Sequence, residues 1–290
     1  MNADKPTSTI ATLLVSCPDR KGLVAALAQL LYGHGANIVD SDQHTDAEAG
    51  QFFQRIRFDL AEIHTDRVAL ERGVAEVSQR FGMSVTLRYP EAQTRVAIFV
   101  SRYGHCLDDL LWRYGSGELP CVVRLVVSNH PDLGELARRA NIPFYAIPVT
   151  STGKEAAEAQ AFELLDSHGI DLLVFARYMQ VVSPEFIERY PSRIINIHHS
   201  FLPAFVGQKP YHQAYERGVK LIGATAHYAT ADLDEGPIIE QGVARISHRD
   251  TVDDLVRKGR DLEKVVLANA VRLHLEDRVL VVGKRTVVFD

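Results

Sequence analysis

Asn196, His198 and Asp234 are the residues whose types best suit chemistry. Ile194-Ile195 reads as the end of a buried strand, and Asn196-Ile197-His198-His199-Ser200-Phe201-Leu202-Pro203 follows directly. Strand alternation would put Asn196 and His198 on one side. An amide NH2 can stabilise an oxyanion, and an imidazole can give or take a proton near neutral pH. The same residues would serve equally as a turn cap and as histidines satisfying backbone groups, so this stretch alone leaves both readings open. A second cluster follows: Gly223-Ala224-Thr225-Ala226-His227-Tyr228 reads as a strand, Ala229 to Leu233 as a loop, and Asp234-Glu235-Gly236-Pro237 precedes Ile238. A carboxylate beside Gly-Pro is ordinarily turn chemistry. Adjacent His198 and His199 would face opposite ways on a strand, and the histidines are too few at ligand spacing, so no metal is expected.

The elements that must position these residues fall into two groups. In the first ninety residues, Thr9 to Cys17 is an apolar strand, Pro18 to Gly22 a turn, and Leu23, Leu27 and Leu30 recur at helical spacing up to Gly33 and Gly35. Asn37 to Thr45 and Gln51 to Leu60 read as strands around a turn at Ala47 to Gly50. A helix follows Asp66, with Leu70, Val74, Val77 and Phe81 on one stripe, and Val85, Leu87 and Tyr89 alternate along a last strand. The order β-α-β-β-α-β predicts a ferredoxin-like domain over 1–90, with the polar Pro90 to Thr94 connection as its boundary.

Over 91–290 the units lengthen. Strands at Val96 to Val100, Cys121 to Val127, Phe144 to Val149 and Leu172 to Phe175 alternate with helices through Leu107, Leu110 and Leu111, from near Pro131, and over Gly153 to His168. The class is α/β, with a mostly parallel sheet, helices on both faces, and ligands expected at the strands' carboxyl ends. Neither G-x-G-x-x-G nor G-x-x-x-x-G-K-[ST] is present, which argues against dinucleotide and nucleoside triphosphate sites.

The 290 residues carry a formal net charge of -5 with scattered basic residues, so no nucleic-acid partner is expected. Met1 to Ser8 is polar, and no uncharged apolar run approaches the roughly 18 residues of a membrane span. Cys17, Cys106 and Cys121 form no C-x-x-C pair. A cytoplasmic protein with reduced thiols and no membrane partner is expected.

N-I-H-x-S-x-L-P, then G-x-T-x-H, then L-D-x-G-P-I-I resembles the folate-dependent formyltransferase superfamily. Asn196, His198, Ser200, Leu202, Pro203, Gly223, Thr225, His227, Leu233, Asp234, Gly236 and Pro237 stand in the matching places. The resemblance implies a Rossmann-like formyltransferase domain with Asn196, His198 and Asp234 as its catalytic group. Phe175 to Pro184 is similar to the superfamily's folate-binding strand and loop. This implies that Met179, Gln180, Val181 and Val182 meet the pterin edge, with Thr230 to Leu233 as the opposite wall. The residues alone would let Met179, Val181 and Val182 be core packing.

Within that superfamily the chain resembles the formyltetrahydrofolate deformylases. Ser101-Arg102-Tyr103-Gly104-His105-Cys106-Leu107-Asp108-Asp109 carries their His-Cys-Leu and lacks the Gly- and Ser-rich phosphate loop of the ribonucleotide enzymes. His199 stands where transferases commonly have proline. Phe205-Val206-Gly207, Lys209 to Tyr215, Gly259-Arg260-Asp261-Leu262-Glu263-Lys264 and the closing strands around Val279 to Phe289 fit as well. Cys17 to Val24 and Asn37-Ile38 resemble an ACT domain, a regulatory or oligomerisation module. That likeness implies an amino-acid effector at Asp19, Gly22 and Asn37 and a homo-oligomer; Gly22 as a plain turn glycine stays open.

The resemblance implies hydrolysis of 10-formyltetrahydrofolate to tetrahydrofolate and formate, supplying formate and balancing one-carbon folate pools for purine synthesis. No cofactor beyond the folate substrate is implied. Asn196 and His198 would bond the oxyanion, and Asp234 would orient His198. His105 and His199 would line the space where a transferase holds its acceptor. His227 would either steady Asp234 or serve the core. Two other readings stay open: a transferase to a non-phosphorylated amine, and an amino-acid sensor whose catalytic domain has decayed.

Overall fold

The computed structural model describes residues 8–150, 152–203 and 210–289. Phe205-Val206-Gly207 and Lys209 lie outside the described residues. The chain divides into two compact units: residues 1–93 with 277–280 and 287–290, and residues 94–276 with 281–286.

The first unit runs β1 (Ile10–Pro18), α1 (Leu23–Gly33), β2 (Asn37–Asp46), β3 (Gln51–Asp59), α2 (Arg67–Phe81) and β4 (Ser84–Arg88). Its antiparallel sheet has the order β2-β3-β1-β4, which is the expected ferredoxin-like arrangement. Ala11, Leu13, Val15 and Cys17 alternate along β1 and pack with Leu23, Leu27 and Leu31 of α1 and Leu70 and Val74 of α2. Asp66 caps α2, accepting a 2.7 Å bond from the Ala69 N–H, a contact of the kind that supplies about 1 kcal/mol.

The second unit runs β5 (Thr94–Val100), α3 (His105–Ser116), β6 (Cys121–Ser128), α4 (Gly134–Arg139), β7 (Phe144–Ala146), α5 (Lys154–Ser167), β8 (Leu172–Phe175), α6 (Pro184–Arg189) and β9 (Ile194–His198). It continues with α7 (Pro210–Arg217), β10 (Leu221–Tyr228), β11 (Ile238–Arg245) and α8 (Val252–Leu275). Two short strands, β12 (Val279–Val282) and β13 (Arg285–Val288), close the chain as a separate pair. The large sheet has the order β11-β10-β9-β8-β5-β6-β7. The pairings among β5 to β9 are parallel, whereas β10 pairs antiparallel with both β9 and β11.

Two boundaries differ from the sequence reading. β9 begins rather than ends at Ile194-Ile195, because backbone pairing continues on both sides: Phe175 lies opposite Asn196 on one edge and Thr225 opposite His198 on the other. β7 stops at Ala146, short of the expected Val149, because Pro148 has no N–H to give to a ladder.

Ala97, Phe99, Leu125, Val127, Leu173 and Phe175 pack with α5 and α6 in one core. α8 runs along β9, β10 and β11 and also meets α3 and α7. No described helix is long and apolar enough to cross a membrane.

Candidate active site

The site forms at the carboxyl end of β9. His198 is buried at 6 % exposure, and its Nδ1 lies 3.2 Å from Asp234 Oδ1. A carboxylate only accepts, so Nδ1 carries the proton, and Nε2 is the lone-pair atom of the neutral ring. That Nε2 is buried and has no hydrogen-bond partner among the described residues.

His227, on β10, is opposite Asn196 in the register. Its Nδ1 lies 3.0 Å from the Tyr228 carbonyl, which can only accept, so Nδ1 again donates. The Nε2 of neutral His227 is therefore the acceptor for Asn196 Nδ2 at 3.2 Å. This bond holds the Asn196 amide in place through one of its two N–H groups and leaves the other to donate elsewhere. His227 Nε2 also lies 3.7 Å from Asp234 Oδ1. The sequence left His227 between a core role and support of Asp234; it is buried at 2 % exposure and touches both Asn196 and Asp234.

Asp234 reaches these rings because the chain turns back tightly after β10. A Cβ on Gly236 would lie 1.7 Å from the Tyr228 carbonyl oxygen, so only glycine permits this approach. Tyr228 N–H then bonds the Pro237 carbonyl at 2.9 Å. Asp234 itself sits at φ 59, left-handed backbone that Asp tolerates better than most residues. Burial works to raise its carboxyl, but the hydrogen bond from His198 leads the contributions that outweigh burial and hold it well below the usual carboxylate range.

Thr225 supports the segment after His198. Its hydroxyl donates to the Ser200 carbonyl at 2.9 Å and accepts from the Leu202 N–H at 3.1 Å. The loop after β8 is held from below. Phe99 and Phe175 pack against Tyr178, with ring centroids 5.3 and 5.4 Å away. Ser101 Oγ accepts from the Met179 N–H at 2.9 Å and donates to Asn129 Oδ1 at 2.7 Å.

Met179 and Val181 are 51 % and 62 % exposed, which excludes core packing for both. Gln180 is half-buried, and Val182 packs partly against the core. Across the site Thr230 and Leu233 are exposed, with the Thr230 hydroxyl donating to the Asp232 carbonyl at 3.0 Å.

A second polar cluster adjoins these residues, and the sequence reading assigned roles to only two of its members. His105 Nε2 lies 2.7 Å from Glu263 Oε2, and the Tyr211 hydroxyl donates to Glu263 Oε1 at 2.6 Å. Arg177 Nε lies 3.4 Å from Glu263 Oε2. His199 bridges the two clusters, its ring centroid 5.2 Å from His198 and 6.2 Å from Tyr211. Burial first, then the Arg177 charge, push His199 down to about 4, so it is neutral at pH 7.

Burial would raise the Glu263 carboxyl, yet the His105 bond, the Arg177 charge and the Tyr211 bond hold it below the usual range. Gly259, one turn before Glu263 on α8, makes this possible. A Cβ there would sit 2.0 Å from the Tyr211 hydroxyl. Glu263 stands in the Gly259 to Lys264 segment and Arg177 in the Phe175 to Pro184 segment that carry the family likeness, but nothing in either segment marks the two residues as neighbours. His105, Cys106 and Glu263 place ligand-type atoms within 4.8 Å of one another. Both Glu263 oxygens are already hydrogen-bonded, and burial raises the Cys106 thiol well above its ordinary value, so the arrangement as it stands is a hydrogen-bonded cluster.

In the first unit, Asp19 and Gly22 lie in the exposed β1–α1 turn, and Asn37 is exposed at the start of β2.

The Formyl transferase family model matches residues 94–271, and the ACT domain model matches residues 11–72. A formyltetrahydrofolate deformylase of Synechocystis sp. is 52 % identical over 279 residues, covering 96 % of this chain and 98 % of that one. The chain belongs to the formyltetrahydrofolate deformylase family. A crystal structure of a formyltetrahydrofolate deformylase from Pseudomonas syringae pv. tomato superimposes with a TM-score of 0.95 at 46 % identity, covering 97 % of this chain and 94 % of that one. A glycinamide ribonucleotide transformylase from Symbiobacterium toebii shares 36 % identity and a TM-score of 0.65, but covers only 68 % of this chain against 95 % of its own. Membership of the deformylase family thus rests on the whole chain, including the ACT domain, and not on the formyltransferase fold alone.

Proposed function

We propose that the protein hydrolyses 10-formyltetrahydrofolate to tetrahydrofolate and formate, with Asn196, His198 and Asp234 as its catalytic residues. The observation that carries this reading is the His198–Asp234 pair at 3.2 Å, which leaves His198 Nε2 without a protein partner beside the anchored amide of Asn196. Nε2 takes a proton from the attacking water as its oxygen bonds to the formyl carbon. The tetrahedral oxyanion receives the free N–H of Asn196 and the new N–H of His198, each such donor being worth about 3–4 kcal/mol of barrier. Asp234 stabilises the imidazolium. The Nε2 proton then passes to the folate nitrogen N10 as the C–N10 bond breaks, and the formic acid formed gives up its remaining hydroxyl proton to water.

Met179, Gln180, Val181 and Val182 receive the pterin edge, and Thr230 and Leu233 close on it from the other side. Besides water, the folate is the only small molecule the reaction consumes. The reaction supplies formate and balances one-carbon folate pools for purine synthesis. His105 and His199 line the space that an acceptor occupies in a transferase.

Residues 1–90 act as an ACT-type regulatory and oligomerisation domain, with residues 91–290 as the catalytic domain. An amino-acid effector would meet Asp19, Gly22 and Asn37. A homo-oligomer is supported by β2 and β4, which are the two edges of their sheet and carry the backbone groups on which another chain can add. Cys17, Cys106 and Cys121 are free thiols, consistent with a reducing cytoplasm.

Purified protein mixed with 10-formyltetrahydrofolate and no acceptor should release formate stoichiometrically with tetrahydrofolate. Absence of release, or release only on adding an amine, would reject the reading.

A further inference from the structure

Arg177 is the residue the deformylation steps above leave unused. It stands two positions beyond the end of β8, at the carboxyl edge of the parallel strands where ligands bind in such sheets. It is 8 % exposed, and burying a guanidinium is costly unless its charge is paired and its N–H groups are bonded. The Arg177 pairing is incomplete. Glu263 Oε2 is 3.4 Å from Nε and shares its charge with His105 and Tyr211, whose contacts are shorter at 2.7 and 2.6 Å. Nε and Nη1 have no hydrogen-bond partner among the described residues. The backbone of Arg177 is also left-handed, at φ 64, a conformation unfavourable for a non-glycine residue. Strain, burial and idle donors coincide on one side chain.

The surroundings define what this guanidinium would receive. Tyr103 lies against it, with the ring centroid 5.6 Å from Arg177 Cζ. A continuous set of side chains joins it to the catalytic pair: Glu263, Tyr211 at 2.6 Å, His199 at 6.2 Å between rings, and His198 at 5.2 Å. Resting on the deformylase reading, we propose that Arg177 is a binding site for the one-carbon carboxylate product, which it receives from the Asn196–His198 centre before release.

The chemistry fits on both sides. The reaction turns a neutral formyl group into a monoanion, so of the one-carbon group's two states only formate carries the charge a buried cation selects. A guanidinium stays protonated at every working pH and offers fixed N–H donors to carboxylate oxygens. Neutral His199, beside the route, imposes no competing charge.

The test is binding of 13C-labelled formate to the full-length protein saturated with tetrahydrofolate, followed by NMR line broadening. Wild type should bind formate saturably. Arg177→Gln should weaken binding at least tenfold, and Arg177→Lys several-fold. Arg260→Gln should leave it unchanged, although Arg260 lies over the same Tyr103 ring at 5.4 Å. Equal affinity in wild type and natively folded Arg177→Gln would overturn the site.

Should Arg177→Gln not fold, the Nε–H resonance of Arg177 in the wild type, assigned by its loss in Arg177→Lys, decides. It should shift with added formate, and a fixed position would overturn the proposal. Formate release from 10-formyltetrahydrofolate without saturable formate binding sinks this site alone. No release at all sinks the deformylase reading and the site with it.

Discussion

His198 Nδ1 and Asp234 Oδ1 lie 3.2 Å apart, although one residue ends β9 and the other stands in the loop between β10 and β11. The contact depends on Gly236, whose missing side chain lets that loop fold back onto Tyr228. Asp234→Asn would keep the shape and remove the charge that stabilises the imidazolium. Formate release should fall about 10²–10⁴-fold, with folate affinity changed little. Near-wild-type turnover in single-turnover assays would remove Asp234 from the mechanism.

Asn196→Ala should lower kcat by about 10²–10³ with a small change in KM. His227→Phe should act in the same direction but more weakly, because it frees the Asn196 amide to rotate and removes a ring beside Asp234 while leaving both catalytic side chains in place. A KM effect with unchanged kcat in either variant would mean that the pair serves substrate binding instead. Steady-state kinetics of the two variants separates the cases.

His199 sets a pH dependence of stability. Its folded value, about 4, lies below the unfolded value near 6.5. Between those values the unfolded chain binds more protons, so stability is full above pH 6.5 and falls as the pH drops towards 4. The loss is on the order of 3 kcal/mol. Asp234, held low, loses its own contribution only below the unfolded carboxylate value of about 3.9, so the two windows separate. Urea midpoints at pH 4.5 and 7 should converge in His199→Gln and differ in the wild type.

His105→Gln should lower turnover while leaving tetrahydrofolate binding nearly intact, because it breaks the 2.7 Å contact to Glu263 and touches no part of the loop at Met179. Fluorescence titration with tetrahydrofolate beside a formate-release assay checks both halves. Unchanged turnover would show His105 to be structural only.

Gly259→Ala should reverse the ordinary helix rule. Alanine inside a helix is favoured over glycine by about 1 kcal/mol, yet here its Cβ would fall 2.0 Å from the Tyr211 hydroxyl. A net destabilisation of about 1–3 kcal/mol is expected, read from the urea midpoint. A stabilised variant would mean that Tyr211 moves aside freely.

The sequence was most legible where one residue type has one use. In the first unit, periodicity sufficed for α1 and α2 because each helix buries a single stripe, and β1 was legible as a continuous apolar run buried on both faces. Asn196, His198 and Asp234 were legible as a family motif, and the fold brings them together. Ile194-Ile195 was misplaced within its strand because β9 is buried on both sides, so the apolar run does not mark where pairing stops. Arg177 and Tyr211 were invisible as members of a cluster because their partner, Glu263, comes from a distant helix. A charge in an α8-type pattern reads as a solvated face until the fold shows Glu263 at 1 % exposure.

The missing side chain at Gly259 imposes an order on change. Residue 259 grows without strain only after Tyr211 has become smaller, and shrinking Tyr211 first strips Glu263 of its shortest bond. The two positions are therefore coupled rather than additive. Any mutational path that opens this side of the site to a bulkier acceptor has to pass through Tyr211 before it passes through Gly259.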